Sequence, residues 1–386
     1  MARTILHLDL DAFFCAVEEI MDPSLKGKAF AVGGTPEGRG VIASCSYAAR
    51  SFGIRSAMPT SRALRLCPQL IVISHHRGNY GETSDQVMRR LRDLSPYVEQ
   101  ISIDEAFVDL SGLPDPEGIT RKLQSGIRQE LGLPCSAGIA INKLVAKIAT
   151  EVGKKSGRKG EPPNALTIVP PGTERIFLDP LPVEMMWGVG PKTSARLAEV
   201  GIKTIGDLAR RPEADLVRWF GSNGRDMWQH AQGQDERPIV TEYEAKSISQ
   251  ETTFARDISD DLVLQRTVRS LSAEVGRRLR KSGESGKTVR LKLRWPDFSS
   301  LTRQVSLPQP TDQDEEIYKT ALALLHKVRA KGQAVRLIGV GVSGFKPPLR
   351  QLELWDGGNE KMRKLQEAVD DLREKYGRKI IQKGKG

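Results

Sequence analysis

Ile5-Leu6-His7-Leu8-Asp9-Leu10-Asp11 and Ser102-Ile103-Asp104-Glu105-Ala106-Phe107 are the stretches that decide how this chain is read. The first alternates apolar and polar side chains, and so does the wider run from Val98 to Leu110 around Asp104, the period of a β-strand. A buried carboxylate needs a proton or a cation beside it. Several brought together repel one another unless a divalent metal sits between them. Hard oxygen ligands select Mg²⁺ or Mn²⁺, and Mg²⁺ commonly joins one or two carboxylates to substrate phosphates. The pattern points to phosphoryl or nucleotidyl transfer, with one ion activating an attacking 3′-hydroxyl and a second holding the triphosphate. The competing reading is surface acids on an edge strand. It suits one Asp better than Asp9 and Asp11 in one strand plus Asp104-Glu105 in another.

The chain has 386 residues, a formal net charge of +11 and a pI of about 9.5. Its length suggests about two to four domains. The basic excess favours an anionic partner, most often nucleic acid. Cys15, Cys45, Cys67 and Cys135 form no C-x-x-C pair, so neither a zinc site nor a redox motif is indicated. No signal peptide opens the chain, and a reduced, cytoplasmic compartment is expected. No apolar run approaches the ~18 residues that span a membrane. No pair of histidines has helical ligand spacing, which argues against His-based metal chemistry.

Along the chain, residues 3–11 read as a buried strand and 12–21 as a short amphipathic helix. Phe30 to Gly34 and Gly40 to Ser44 read as strands joined by a Gly-rich turn, and 47–52 as helix. A helix over 78–94 precedes the strand carrying Asp104. A helix at 117–131, a strand at 135–141 and a helix at 143–152 follow. A Pro/Gly/Lys-rich break spans 153–172. Residues 173–232 read as compact helices. After a linker at 233–246 come strands at 287–295 and 335–345 with helices at 259–282 and 312–331. The tail 349–386 reads as a short apolar motif and a charged amphipathic helix.

Four further clusters carry chemistry, each against a plainer reading. Tyr47 and Arg50, three apart on one helical face, can grip phosphate oxygens together, or can simply face water. The same choice applies to Lys154. Phe13 and Phe14 are either core aromatics or, for the one nearer the metal site, a surface against a nucleotide sugar. Trp187-Gly188-Val189-Gly190-Pro191-Lys192-Thr193 fits a helix-hairpin-helix, whose exposed amides can hold a DNA phosphate, or an ordinary αα-hairpin. From Arg266 to Arg303 eleven basic residues face three acidic ones. In strand 287–295, Lys287, Arg290, Lys292 and Arg294 largely alternate with Val289, Leu291, Leu293 and Trp295. This gives a cationic face suited to a duplex backbone, or a solvated one.

With these residues placed, the chain resembles a Y-family translesion DNA polymerase of the bacterial DNA polymerase IV type. The resemblance spans about residues 3–355. It rests on Asp9-Leu10-Asp11-Ala12-Phe13-Phe14, on Ser44 to Arg50, on Ser102 to Phe107 and on Gly138 to Lys147. It implies an α/β (α+β) right hand. The palm, with a ferredoxin-like core, would be 1–10 and 77–169, small fingers 11–76, and a helical thumb with the helix-hairpin-helix 170–232. A linker at 233–246 would lead to an α/β little finger at 247–346 and a tail at 347–386. The resemblance makes Asp9, Asp104 and Glu105 the catalytic carboxylates. With the Leu10 carbonyl they would be ligands of two Mg²⁺ ions, Mn²⁺ being the alternative. Tyr47, Arg50 and Lys154 would hold the triphosphate, and Phe13 and Phe14 the nucleotide, with Phe14 as the steric gate against ribonucleotides. Small Ala43 and Ser44 over the nascent base pair imply low fidelity. Gly188, Gly190, Lys192 and Thr193 would bind DNA. Gln351, Leu352, Leu354 and Trp355 resemble a sliding-clamp-binding peptide. The implied partners are primer-template DNA, dNTP and a clamp, with no membrane and a monomeric chain. Two departures from the family pattern are the residues beyond the clamp motif and the basic loop Arg158 to Pro163. A catalytically silent adaptor would have lost the carboxylates. A helix-hairpin-helix nuclease would not need Phe14 or the Tyr47/Arg50 pair.

Overall fold

β1 (Ile5–Leu10) is buried along almost its whole length, and the first unit is built around it. The structure, a computed structural model, describes residues 3–158, 160–346, 365–366, 368–372 and 375–376. It divides into two units, Met1–Tyr243 and Glu244–Gly386. After β1 the first unit runs α1 (Phe13–Met21), β2 (Phe30–Gly33), β3 (Ile42–Cys45), α2 (Tyr47–Arg50), α3 (Thr60–Leu66), β4 (Ile71–Ile73) and α4 (Arg77–Leu94). It continues through β5 (Val98–Gln100), β6 (Glu105–Asp109), α5 (Pro116–Leu131), β7 (Cys135–Ala140), α6 (Lys143–Lys155) and β8 (Leu166–Ile168). The helices α7 (Glu174–Leu178), α8 (Pro191–Glu199), α9 (Ile205–Ala209), α10 (Glu213–Phe220) and α11 (Ser222–Ala231) complete its regular structure.

The main sheet has the order β5-β6-β1-β7-β8. β1 is antiparallel to both neighbours, with Asp9 opposite Glu105 on one side and His7 opposite Gly138 on the other. Gly138 is needed there. A Cβ would meet the Ala146 carbonyl oxygen at 2.1 Å and the Thr150 nitrogen at 2.7 Å, so its absence lets α6 lie close on the sheet. Asn142 caps α6 by accepting from the Val145 N–H at 3.0 Å. A smaller sheet, β3-β2-β4, carries its own core of Ala31, Ile42, Ala49 and Ile54. The helices after residue 173 bury Leu178, Leu197, Ile205 and Leu208.

The run from Val98 to Leu110 is not the single strand its alternation suggests. It is a hairpin, β5 then β6, and Asp104 sits in the turn. The Ser102 hydroxyl, within hydrogen-bond distance of the Asp104 N–H at 3.2 Å, and the Ile101 and Ser102 amides, both donating to the Glu105 carbonyl, hold that turn. The stretch expected as a linker is bound to the first unit as far as Tyr243. The buried Asp235 carboxylate accepts from the Leu144 N–H at 3.0 Å and from the Arg237 guanidinium at 2.7 and 2.8 Å. Buried Glu99 accepts from Lys143 at 2.8 Å, the Val240 N–H at 2.9 Å and the Tyr243 hydroxyl at 2.5 Å.

The second unit contains β9 (Ser247–Ile258), α12 (Asp261–Lys281), β10 (Ser285–Arg294), β11 (Ser300–Thr311), α13 (Asp314–Val328) and β12 (Val335–Lys346). Its antiparallel sheet has the order β11-β10-β12-β9. Val289, Leu291, Leu293 and Ile338 pack beneath α12 and α13. Described tail residues at 365–366, 368–372 and 375–376 are helical, and the Asp370 carboxylate accepts from Arg280 at 2.9 Å. Among the described residues no helix is long and apolar enough to cross a membrane. All four cysteines are buried and free.

Candidate active site

The end of β1 and the start of β6 bring the acids together. Asp9 pairs across the sheet with Glu105, and the Leu10 N–H donates to the Asp104 carbonyl at 2.9 Å. Each carboxylate has a separate partner. Lys154 Nζ lies 2.6 Å from Asp9 Oδ2, Lys147 is paired with Glu105, and the Ser102 hydroxyl donates to Asp104 at 2.5 Å. Lys143, Lys147, Thr150 and Lys154 follow helical spacing, so one face of α6 delivers these groups to the sheet. Burial, opposed by Lys154 and reinforced by Asp104, pushes Asp9 up to about 6. Burial pulls Lys154 down, but Asp9 beside it outweighs this and holds its ammonium above the ordinary value. Among the described residues no three His, Cys, Asp or Glu side chains converge closely enough to hold one ion.

His7, to which the sequence assigns no role, lies behind these acids, fully buried. Its Nε2 is 2.7 Å from Glu105 and its Nδ1 2.8 Å from the Thr150 hydroxyl. Burial, with Lys147 and Lys154 nearby, holds its pKa well below 6.5, so the ring is neutral. An ionised carboxylate only accepts, which places the proton on Nε2 and leaves Nδ1 to accept from Thr150. Asp11 faces away from this cluster. Buried, it accepts from the Ser136 hydroxyl at 2.9 and 3.0 Å, from the Asn164 N–H at 3.0 Å and from the Tyr47 hydroxyl at 3.4 Å.

A cavity of about 180 Å³ opens over the acids. Asp9, Leu10 and Asp104 line one part; Tyr47, Arg50 and Lys154 bring hydroxyl and cationic groups; Phe13, Phe14, Ala12, Ala43, Ser44 and Ser56 complete it. Glu105 is not among the lining residues. Ser56 had no local signal. The Arg50 guanidinium sits 4.5 Å from the Tyr47 ring centre, and its Nε donates to the Cys45 carbonyl at 3.3 Å. Ala12 turns the chain into α1 at φ 49°, a left-handed conformation that costs a non-glycine residue about 1–3 kcal/mol. Phe13 is 2 % exposed and belongs to the core, whereas Phe14 is half-buried and stacks on Tyr80 with ring centres 4.4 Å apart.

Away from this cavity, Gly188 at φ 94° and Gly190 precede α8, with Gly188, Gly190 and Lys192 exposed and Thr193 half-buried. In the second unit Lys287, Arg290, Lys292 and Arg294 are half-buried. Arg290 and Lys292 border a shallow cavity of about 210 Å³ with Thr302 and Glu251. Gln351, Leu352, Leu354 and Trp355 lie outside the described residues.

Comparison with known proteins agrees with this architecture. Residues 8–151 match the profile of the impB/mucB/samB family and residues 245–354 its C-terminal domain. Residues 184–235 match a profile described as the DNA polymerase-iota thumb domain. A DNA polymerase IV of Dehalococcoides mccartyi is 42% identical over 99% of this chain and 97% of its own length. One from Streptomyces coelicolor is 46% identical over 89% of this chain and 71% of its own length. Among solved structures, a Y-family DNA polymerase chimera of Dbh and Dpo4 superposes with a TM-score of 0.79 at 25% identity. It covers 88% of this chain and 98% of that one. An insertion ternary complex of Dbh DNA polymerase gives 0.62 at the same identity and coverage. The chain belongs to the Y-family DNA polymerases, of the DNA polymerase IV type, and is a DNA-directed DNA polymerase.

Proposed function

We propose that this polymerase performs low-fidelity translesion synthesis. It would transfer a nucleotidyl group from a dNTP to a primer 3′-hydroxyl and release pyrophosphate at the cavity over Asp9 and Asp104. The observation that carries the reading is one cavity with carboxylates on one side and Tyr47, Arg50 and Lys154 on another. The donor set fits hard divalent cations. Its donors are carboxylate oxygens and the Leu10 carbonyl; the four thiols are buried, and His7 is committed to Glu105 and Thr150. The raised pKa of Asp9 supports this, because a carboxylate whose ionised form is penalised by burial even beside Lys154 gains most from a cation. Two Mg²⁺ ions, or Mn²⁺, would be held by Asp9, Asp104, Glu105 and the Leu10 carbonyl, activating the 3′-hydroxyl and neutralising the phosphates.

The chain's own groups do the rest. The Tyr47 hydroxyl, fixed by Asp11, and the Arg50 guanidinium bind phosphate oxygens. Lys154 exchanges its pairing with Asp9 for a phosphate oxygen. Glu105 is oriented by His7. Phe14 stands where a ribose 2′-hydroxyl would collide, and Phe13 backs it from the core. Ala43 and Ser44 leave room for a distorted template base. Gly188, Gly190, Lys192 and Thr193 hold one duplex phosphate run, and Lys287, Arg290, Lys292 and Arg294 another. Gln351, Leu352, Leu354 and Trp355 would join a sliding clamp. The enzyme would act as a monomer in the cytoplasm, on the nucleoid.

Primer extension with Mg²⁺ and dNTPs on undamaged and damaged templates tests this reading. Elongation past a lesion, with frequent misinsertion, is expected; stalling at every lesion with accurate copying would refute it.

A further inference from the structure

Phe14 and Glu18 are four residues apart on α1 and share one face. Tyr80, near the start of α4, meets both. Its ring stacks on Phe14 at 4.4 Å with the planes 23° apart, and its hydroxyl donates to Glu18. Tyr80 is 2 % exposed and Glu18 3 %, so this hydrogen bond lies in the core. His76 completes it: Nδ1 lies 2.9 and 3.1 Å from the two Glu18 oxygens, and the His76 N–H is 3.3 Å from the Tyr80 hydroxyl oxygen. The Tyr80 hydroxyl thus has a donor and an acceptor, and the carboxylate is bound on both oxygens.

An apolar contact fixes where a ring lies but hardly its tilt, because dispersion has little direction. A hydrogen bond to a carboxylate is directional and short. The Tyr80 plane is therefore set by Glu18, and Phe14, which lines the cavity while Tyr80 does not, rests on that plane. Phe14 also meets His75, with ring centres 6.2 Å apart and planes at 72°. A buried carboxylate is a costly way to fill an apolar core unless its directionality is used.

We propose that Glu18 is a positioning residue for sugar discrimination: through Tyr80 it fixes the Phe14 ring at the height where a ribose 2′-hydroxyl meets it. This rests on the reading of Phe14 as the steric gate.

Single-nucleotide incorporation of matched dNTP and rNTP tests it, using Glu18→Ala, Glu18→Gln, Tyr80→Phe and Phe14→Ala, with thermal melts to report folding. Glu18→Ala and Tyr80→Phe should each raise the rNTP-to-dNTP ratio of kcat/KM about fivefold, roughly 1 kcal/mol. The change should fall on the ribonucleotide, with dNTP use nearly unaltered. Glu18→Gln, whose amide oxygen still accepts from Tyr80, should keep most of the discrimination. The double variant Glu18→Ala/Tyr80→Phe should exceed neither single one, because both cut the same link. If Glu18→Ala does not fold, Tyr80→Phe, which keeps the packing, decides on the same ratio. An unchanged ratio in these variants beside a raised one in Phe14→Ala overturns the positioning role and leaves the gate standing. An unchanged ratio in Phe14→Ala removes the gate and the proposal together. Equal losses for both sugars reduce Glu18 to a structural part and also overturn it.

Discussion

Asp9 is the residue on which the site's electrostatics turn. Its pKa is raised from 3.8 to about 6, so it ionises less readily in the fold than in the open chain. Its contribution to stability is therefore fully present below 3.8 and is lost as pH rises through about 6. A divalent cation binds only the ionised form and opposes that penalty. Raising Mg²⁺ should move the acid limb of the pH–rate profile for primer extension to lower pH. A limb that stays put across a Mg²⁺ titration would separate Asp9 from the metal. Asp104 makes a simpler case. It lines the cavity and has Ser102 as its side-chain partner, so Asp104→Ala removes charge without emptying the core. Extension should fall about 10²–10³-fold, the scale of losing one preorganised electrostatic group. DNA binding, measured by fluorescence anisotropy, should survive; extension at the parent rate would contradict the metal assignment.

Among the elements of the second unit, central strands were legible and edge strands were not. β10 and β12 lie inside the second sheet, and their alternation marked both. β9 and β11 lie at its edges and are more exposed; the inward face of β9 carries polar Gln250 and Thr252 between Ile248 and Phe254, and β11 is exposed over most of its length, so neither shows the apolar alternation that marks a strand. The hairpin at 98–109 looks like one strand in the sequence because alternation continues across a tight turn whose bonds come from Ser102 and Glu105. Helix α6 shows the converse: its cationic positions are regular in sequence, but their targets are not. Its close seat on β7 depends on Gly138. Gly138→Ala would drive a methyl group into the Ala146 carbonyl, costing about 1–3 kcal/mol or more by overpacking. Chemical denaturation should show the loss, with activity falling as Lys147 and Lys154 shift; unchanged stability would mean that α6 can move away freely.

Across the whole molecule, the stretch leading out of the first unit is anchored, not loose. Glu99 gathers Lys143, the Val240 amide and the Tyr243 hydroxyl, and burial of Glu99 is offset by these hydrogen bonds, which hold its pKa below the ordinary value. Glu99→Ala would leave the Lys143 ammonium buried without its partner, a change that costs about 3–5 kcal/mol for a buried pair. Limited proteolysis should then cut at 236–243 far faster than in the parent. Equal cleavage rates would show that Asp235 and Arg237 hold the segment alone.

The sequence by itself determined the acids and the strand that carries Asp9, the basic excess, the central strands of both large sheets and the resemblance to the family. These are legible because periodicity and residue chemistry are local properties of the chain. Only the tertiary structure decided that His7 meets Thr150 across 143 residues, that Lys154 and Lys147 neutralise Asp9 and Glu105, and that Tyr80 bridges Phe14 and Glu18. Such partners are chosen by packing between distant segments, which leaves no trace in the spacing of either one.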